Sequence, residues 1–219
     1  MRTRKKDELN IYVCFDGKVK KCDNPSLARI AESDGVNNDE LRRQKETCRN
    51  LLCFAIADAL RKAAESVEFT VTEYGRRKAD GFEFSASHTD GAVVVAVGDL
   101  PCGVDVERIS RFNRIVEDGK TDAFNEKTGA RAFGAIGLAK AWTAKESVYK
   151  ARGYGAFRPS EINTDDANVI YAVAGDFVLA VACKTPFRAK FYEVANGVRR
   201  RLKYENKASF PLTFLLVFL

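Results

Sequence analysis

No Cys-x-x-Cys pair occurs among the six cysteines, which stand at positions 14, 22, 48, 53, 102 and 183. Zinc sites and disulfide frameworks need more regular spacing, so the sequence predicts reduced thiols in a cytoplasmic protein. No apolar run reaches the length of a bilayer helix. The longest candidate, FPLTFLLVFL at 210–219, is about half the roughly 20 residues a span requires and reads as a buried terminal strand. The basic start, MRTRKKDELNIYVCF, lacks the sustained apolar core of a secretory signal. Low-complexity tracts and short repeats are absent as well. Histidine is nearly so, with His88 the single example, and a lone histidine ending a strand is more often a packed or surface residue than a catalytic one.

What is present describes a globular chain with room for a large core: 219 residues, 46% hydrophobic and 30% charged. Thirty-six basic against 30 acidic side chains leave a net charge of +6, which favours an anionic partner without choosing among nucleic acid, an acidic protein and a phosphorylated cofactor. LNIYVCF reads as a first strand. NNDELRRQKETCRNLLCFAIADALRKAAE reads as one long helix, opened by Asn or Asp and apolar along Leu41, Cys48, Leu52, Ala55, Ile56 and Leu60. Arg42, Arg43, Lys45 and Arg49 lie in its first half. VEFTVTEYG alternates as a strand, and FEFSASHTDGAVVVAVG as a hairpin turning at Thr89-Asp90-Gly91. Glycines at 119, 129, 134 and 137 break up residues 111–140, predicting short helices and a mobile loop. LAKAWTAKESVYKARGYG predicts a helix ended by Gly153, and VIYAVAG, FVLAVACK and FRAKFYEV predict strands. Long helix followed by strands thus occurs twice, which points to an α+β fold built from a pseudo-twofold pair of similar halves, residues 1–100 and 101–219.

Chemistry enters with GVDVERI, residues 103–109. In an extended chain alternate side chains share a face about 6–7 Å apart, so Val104 and Val106 point one way and Asp105 and Glu107 together the other. Paired carboxylates repel unless a cation stands between them, and Mg²⁺ takes one or two carboxylates plus water and phosphate. A solvated acidic face on a half-buried strand is the plainer alternative. On the helix over 138–151, Trp142, Lys145, Glu146 and Tyr149 fall at i, i+3, i+4 and i+7, with Lys150 one turn past Glu146. Taken alone, core aromatics and an ordinary exposed ion pair are the plainer account of them. Ser85 and Ser87 could be plain solvent-facing strand residues.

Taken together, FSASHTDGAVVVAV, GVDVE and WTAKESVYK resemble the 4'-phosphopantetheinyl transferases of the surfactin-synthetase-activating type, in which Ser-His, Gly-[Ile/Val]-Asp-[Ile/Val]-Glu and Trp-x-x-Lys-Glu-x-x-x-x-Lys follow in this order. The likeness extends over roughly residues 45–165. It implies an enzyme that moves the phosphopantetheine arm of coenzyme A onto a serine of an acyl or peptidyl carrier protein and releases adenosine 3',5'-bisphosphate. Asp105, Glu107 and Glu146 match the Mg²⁺ ligands. Glu146, directly or through a metal-bound water, is also placed to take the serine proton, and Lys150 to pair with the phosphates. The same match puts Ser87 and His88 at the coenzyme A phosphates, Lys145 near metal and pyrophosphate, and Arg49 and Arg76 along the nucleotide.

Gly75-Arg76-Arg77 stands where the family commonly has Gly-Lys-Pro, keeping charge but changing hydrogen-bond geometry. FNEKTGARAF only loosely resembles its Phe-Phe-x-x-x-Glu stretch. An Mg²⁺-dependent nuclease, or a non-catalytic coenzyme A or nucleic-acid binding protein, could use the same groups. The D-x-E pair on one strand, with the third carboxylate about forty residues on beside Trp142, favours the transferase, and with it no nucleic-acid or membrane partner. The candidate groups divide across residues 99–103, so both halves of one chain are expected to enclose coenzyme A in an active monomer.

Overall fold

The computed structural model describes residues 7–15, 17–33, 38–153, 155–202 and 217–218. Strand β1 (Glu8–Cys14) leads through helices α1 (Pro25–Ser33) and α2 (Asp39–Ala55) to a short ribbon, β2 (Phe69–Val71) and β3 (Arg77–Ala79), and then to the hairpin β4 (Glu83–Thr89) and β5 (Ala92–Gly98). Strand β6 (Cys102–Arg108) leads through α3 (Ser110–Glu117), α4 (Thr121–Thr128) and α5 (Gly134–Arg152) to the hairpin β7 (Asn168–Ala174) and β8 (Phe177–Cys183). In each case the second hairpin strand pairs antiparallel with the opening strand, β5 with β1 and β8 with β6. Residues 8–98 and 102–183 thus share an order of strand, helices and hairpin, with the β2–β3 ribbon in the first alone. Strands β9 (Arg188–Ala195) and β10 (Val198–Arg201) then return to the first sheet, whose order is β10-β9-β1-β5-β4, with β9 parallel to β1. The second sheet runs β11-β7-β8-β6, where β11 is Val217–Phe218. The fold is α+β.

Strand alternation explains how the layers stack. Leu9, Ile11 and Val13 of β1, with Ala92, Val94 and Ala96 of β5, face Val104, Val106, Leu179 and Val181 of the second sheet. The opposite faces, Tyr12 and Cys14 with Val93, Val95 and Val97, pack on Cys48, Leu51 and Leu52 of α2. Strand β5 is buried along its whole length because both of its faces are covered, so it reads AVVVAVG rather than alternating. Helix α5 covers the outer face of the second sheet. The result is four layers: helix, sheet, sheet, helix.

Asn38 starts α2, its Oδ1 accepting from the Leu41 amide at 2.9 Å, as the Asn/Asp opening predicts. The helix is shorter than its apolar periodicity suggests. It passes into a π-helical turn at Ile56–Leu60 and stops at Arg61, which takes a left-handed conformation. The strand predicted over VEFTVTEYG shrinks to Phe69–Val71, since residues 72–76 close a turn through Gly75 N to Thr72 O at 2.9 Å. The hairpin turns on Asp90-Gly91 as expected, and residues 110–128 form α3 and α4. Helix α1, nine residues long, and strand β10, four residues long, are not among the elements expected from the sequence. The expected terminal strand at 210–219 lies outside the described residues except Val217 and Phe218, which pair parallel with Val173 and Ala174. Among the described residues no helix is long and apolar enough to cross a membrane.

The thiols depart from expectation. Cys14, Cys48, Cys102 and Cys183 are free and buried, but Cys22 and Cys53 form a disulfide across 31 residues, tying the segment before α1 to the end of α2. No spacing rule marks this pair, because its proximity comes from the segment before α1 lying against α2, where the Cys22 amide donates to Asn50 Oδ1 at 3.0 Å. Reduction is expected to lower stability by about 2–4 kcal/mol through the entropy regained by the unfolded chain. Urea midpoints with and without reductant measure this, and an unchanged midpoint would contradict a structural role for the bond.

Candidate functional site

Strands β4 and β6 are edges of their sheets, and the two edges meet. An edge strand has unpaired backbone donors that need partners. Here the Val104 amide donates to Ser85 Oγ at 3.0 Å. Ser85 and Ser87, for which a plain solvent-facing role was the alternative, are both buried in this seam, while Phe84 and Ala86 between and beside them pack toward α2. The serines supply polar contacts where two sheets touch without sharing a ladder.

The odd residues of β6, Gly103, Asp105 and Glu107, face α5. Gly103 permits the approach: a Cβ there would lie 1.8 Å from Ser147 O and 2.5 Å from Ala151 N. Opposite them on β8 stand Ala182, Ala180 and Val178, mostly small, so the helix settles low on the sheet. The two carboxylates of the motif thus do point together, and they point at α5 rather than at solvent. Asp105 is 2% exposed. Lys150 Nζ donates to Asp105 Oδ1 at 2.6 Å and to Ser87 Oγ at 3.0 Å, and lies 3.3 Å from Glu146 Oε2. Ser87 Oγ also donates to Asp105 Oδ1, at 2.6 Å. The other oxygen, Asp105 Oδ2, is buried without any hydrogen-bond partner. Glu107 is held by Arg111 on α3, whose Nη1 donates to both carboxylate oxygens at 2.8 and 3.0 Å.

The electrostatics follow from burial. Burial pushes the Asp105 carboxyl up; Lys150 opposes this and Glu146 adds to it. Glu107 is raised chiefly by burial, against the pull of Arg111. Burial pulls the Lys150 ammonium down, but Asp105 and Glu146 together hold it above the ordinary lysine value. His88 is lowered first by burial and then by the cations Lys150, Lys45 and Arg77.

A cavity of about 430 Å³ adjoins this cluster, lined among others by Lys45, Arg49, Arg76, Arg77, Ser85 and Lys150. Its basic side chains come from α2, from the β2–β3 ribbon and from α5, on both sides of residue 100. Arg76 pairs with Glu83 at 3.3 Å, and its guanidinium packs against Gly153 at the C-terminal end of α5, where cations are favoured. His88 Nδ1 meets Gln44 Oε1 at 3.0 Å.

Of the sequence candidates, Ser87, Asp105, Glu146 and Lys150 come together in one hydrogen-bonded group, Glu107 lies beside them on the same strand face, and Arg49 and Arg76 line the neighbouring cavity. Lys145 is placed elsewhere: it is buried and its Nζ donates to the Ile162 carbonyl at 2.7 Å. Helical spacing puts Lys145 near Glu146, but that side of α5 packs on the 155–162 segment, where Trp142 and Tyr149 both meet Phe157. Sequence reasoning passed over Arg111, four residues after Glu107 but across a strand–helix boundary where helical spacing does not apply. It also left Lys45 and Arg77 without a role, although Lys45 stands one turn from Arg49.

Among the described residues no group of three or more His, Cys, Asp or Glu side chains is gathered to hold a metal. The donors are nonetheless of hard-cation chemistry, and the orphaned Asp105 Oδ2 is the lone pair such an ion would engage.

Residues 101–205 match the family model described as the 4'-phosphopantetheinyl transferase superfamily. The chain is also 33% identical over 99 residues to the 4'-phosphopantetheinyl transferase gsp of Aneurinibacillus migulanus. That match covers 43% of this chain and 42% of the relative.

Proposed function

We propose that the chain, whose residues 101–205 match the family model of the 4'-phosphopantetheinyl transferase superfamily, transfers the phosphopantetheine arm of coenzyme A to a serine hydroxyl of an acyl or peptidyl carrier protein. The observation that carries this reading is the placement of a basic cavity directly against a carboxylate pair, buried Asp105 and half-buried Glu146, that shares Lys150. Phosphates need the first; a proton acceptor and a cation need the second.

In this reading Lys45, Arg49, Arg76 and Arg77 draw the nucleotide end of coenzyme A into the cavity, and His88 stands at a phosphate. Asp105, Glu107 and Glu146 would hold Mg²⁺, which when bound neutralises charge on the pyrophosphate oxygens. Support for that assignment is the donor chemistry and the orphaned Oδ2. Lys150 and Arg111 are the cations that balance these carboxylates otherwise. The serine oxygen of the carrier protein forms a bond to the β-phosphorus, the bond from that phosphorus to the departing bisphosphate breaks, and Glu146 accepts the serine proton. Lys150, at the seam between carboxylates and cavity, pairs with the departing phosphate. Because one chain lines the cavity from both sides of residue 100, an active monomer is proposed.

Incubation with coenzyme A, Mg²⁺ and a panel of apo carrier proteins, read by mass spectrometry, is expected to show a phosphopantetheine adduct on at least one carrier. No adduct on any, under conditions where coenzyme A binds, would argue against transfer. Coenzyme A with Mg²⁺ is further expected to raise the melting temperature, and dephospho-coenzyme A to raise it less, since the latter lacks one charge-assisted contact. Equal shifts from the two would count against the proposed phosphate contacts.

A further inference from the structure

Three side chains on one face of α2 form a chain that ends on His88. Arg43 Nη2 donates to Glu40 Oε2 at 2.6 Å, Gln44 Nε2 donates to Glu40 Oε1 at 3.1 Å, and Gln44 Oε1 lies 3.0 Å from His88 Nδ1. Residues 40, 43 and 44 stand at i, i+3 and i+4, so one helical face carries all three. The chemistry of each group leaves one arrangement of hydrogens. Arg43 and Gln44 hold Glu40 below the ordinary glutamate value, so it is a carboxylate at neutral pH and can only accept. The Gln44 atom beside it must then be the amide nitrogen. The other end of Gln44 is therefore its carbonyl oxygen, which also only accepts, so His88 Nδ1 must carry a proton.

We propose that Gln44, clamped by Glu40, is a positioning residue that holds His88 as its Nδ1–H tautomer and leaves Nε2 as the nitrogen through which the ring meets an anion. The functional part of this rests on the reading above that a phosphate of coenzyme A binds at His88. The depressed basicity of His88 agrees: burial first, and then Lys150 of α5, Lys45 of α2 and Arg77 of β3, lower it from the ordinary histidine value, so at neutral pH the ring is neutral and its second nitrogen is bare. A bare nitrogen repels a phosphate oxygen, so contact requires a second proton on the ring. The imidazole becomes a donor to the anion only as imidazolium, with Gln44 keeping Nδ1–H in place throughout.

His88 is the only histidine of the chain, so one pair of ring-nitrogen signals in a ¹⁵N NMR spectrum of the full protein belongs to it. Above its titration range the parent protein is expected to show Nδ1 protonated and Nε2 bare. Gln44→Leu, similar in size but without the acceptor, is expected to move the population toward Nε2–H. Glu40→Gln, an exposed change that frees the Gln44 amide to turn over, should move it in the same direction by less. In transfer assays the parent's KM for coenzyme A should rise with pH as the imidazolium is lost, and Gln44→Leu, whose neutral ring can donate through Nε2–H, should show a smaller rise with kcat changed less than about threefold. A parent spectrum showing Nε2–H, or a Gln44→Leu spectrum with the parent's tautomer ratio, overturns the proposal. If the tautomer is as stated but coenzyme A leaves the His88 signals unmoved, the clamp by Gln44 stands and the phosphate contact at His88 falls.

Discussion

Asp105→Asn is expected to retain the fold and to lose about 10³-fold in transfer rate. Asparagine keeps the shape, and its carbonyl can still accept from Ser87 and Lys150, which sit at 2.6 Å from Oδ1 in the parent. Lys150 also keeps Glu146 at 3.3 Å, so no buried charge is stranded. The sign of the pH effect on stability supports the same outcome. Burial raises the Asp105 carboxyl in the folded state, so the folded protein binds that proton more tightly than the unfolded chain, and stability falls as pH rises through the folded value. At neutral pH the parent carries a cost of ionisation that asparagine lacks, offsetting the weaker contact to Lys150. Melting temperatures are therefore expected to agree within a few degrees at pH 7, while the carrier adduct by mass spectrometry nearly disappears. Glu146→Gln should lose as much, because it removes the proposed proton acceptor. Either variant transferring within tenfold of the parent, with unchanged Mg²⁺ dependence, would sink the assignment of the carboxylates.

Features of the site that depend on chain-local geometry were readable in the sequence, and those that depend on how layers meet were not. The alternation in GVDVE told correctly that Asp105 and Glu107 share a face, since that follows from strand geometry alone. It did not tell that the face meets α5, which depends on Gly103 and on the small residues of β8. Strand alternation left a solvent-facing role open for Ser85 and Ser87; their burial comes from the meeting of two sheet edges, a contact between residues about twenty positions apart. Helical spacing grouped Lys145 with Glu146 and Trp142, yet a face spanning i to i+7 is broad enough to meet two neighbours. Glu146 and Lys150 turn to β6 while Lys145 turns to Ile162. Arg111 and the Cys22–Cys53 bond follow no local period at all. The strand–helix–hairpin order was legible because a long helix stands between an opening strand and a hairpin in each stretch, whereas the return of β9 beside β1 is a long-range pairing without a local signature.

Gly103→Ala is expected to be among the most disruptive single-methyl additions in the chain. The new Cβ would fall 1.8 Å from Ser147 O and 2.5 Å from Ala151 N. Both are backbone atoms of α5, which cannot turn aside as a side chain could, so the helix itself must lift from β6. Overpacking of this kind costs about 3 kcal/mol, and more where the strain cannot spread. The lifted helix carries Glu146 and Lys150 with it, while Asp105 stays on the strand. Misplacement of reacting groups by about 1 Å costs on the order of 100-fold, so transfer should fall by that factor even in the fraction that remains folded. A control on the same helix separates close approach from a general intolerance of alanine. At Gly137 the nearest atom to an added Cβ is 3.9 Å away, and replacing a helical glycine by alanine stabilises by up to about 1 kcal/mol where the space is open. Urea unfolding of the two variants should therefore move in opposite directions, Gly103→Ala to a much lower midpoint and Gly137→Ala to the same or a higher one. Equal midpoints, or a Gly103→Ala protein with parent-like transfer, would mean that contact between β6 and α5 does not set the geometry of the carboxylate–lysine cluster.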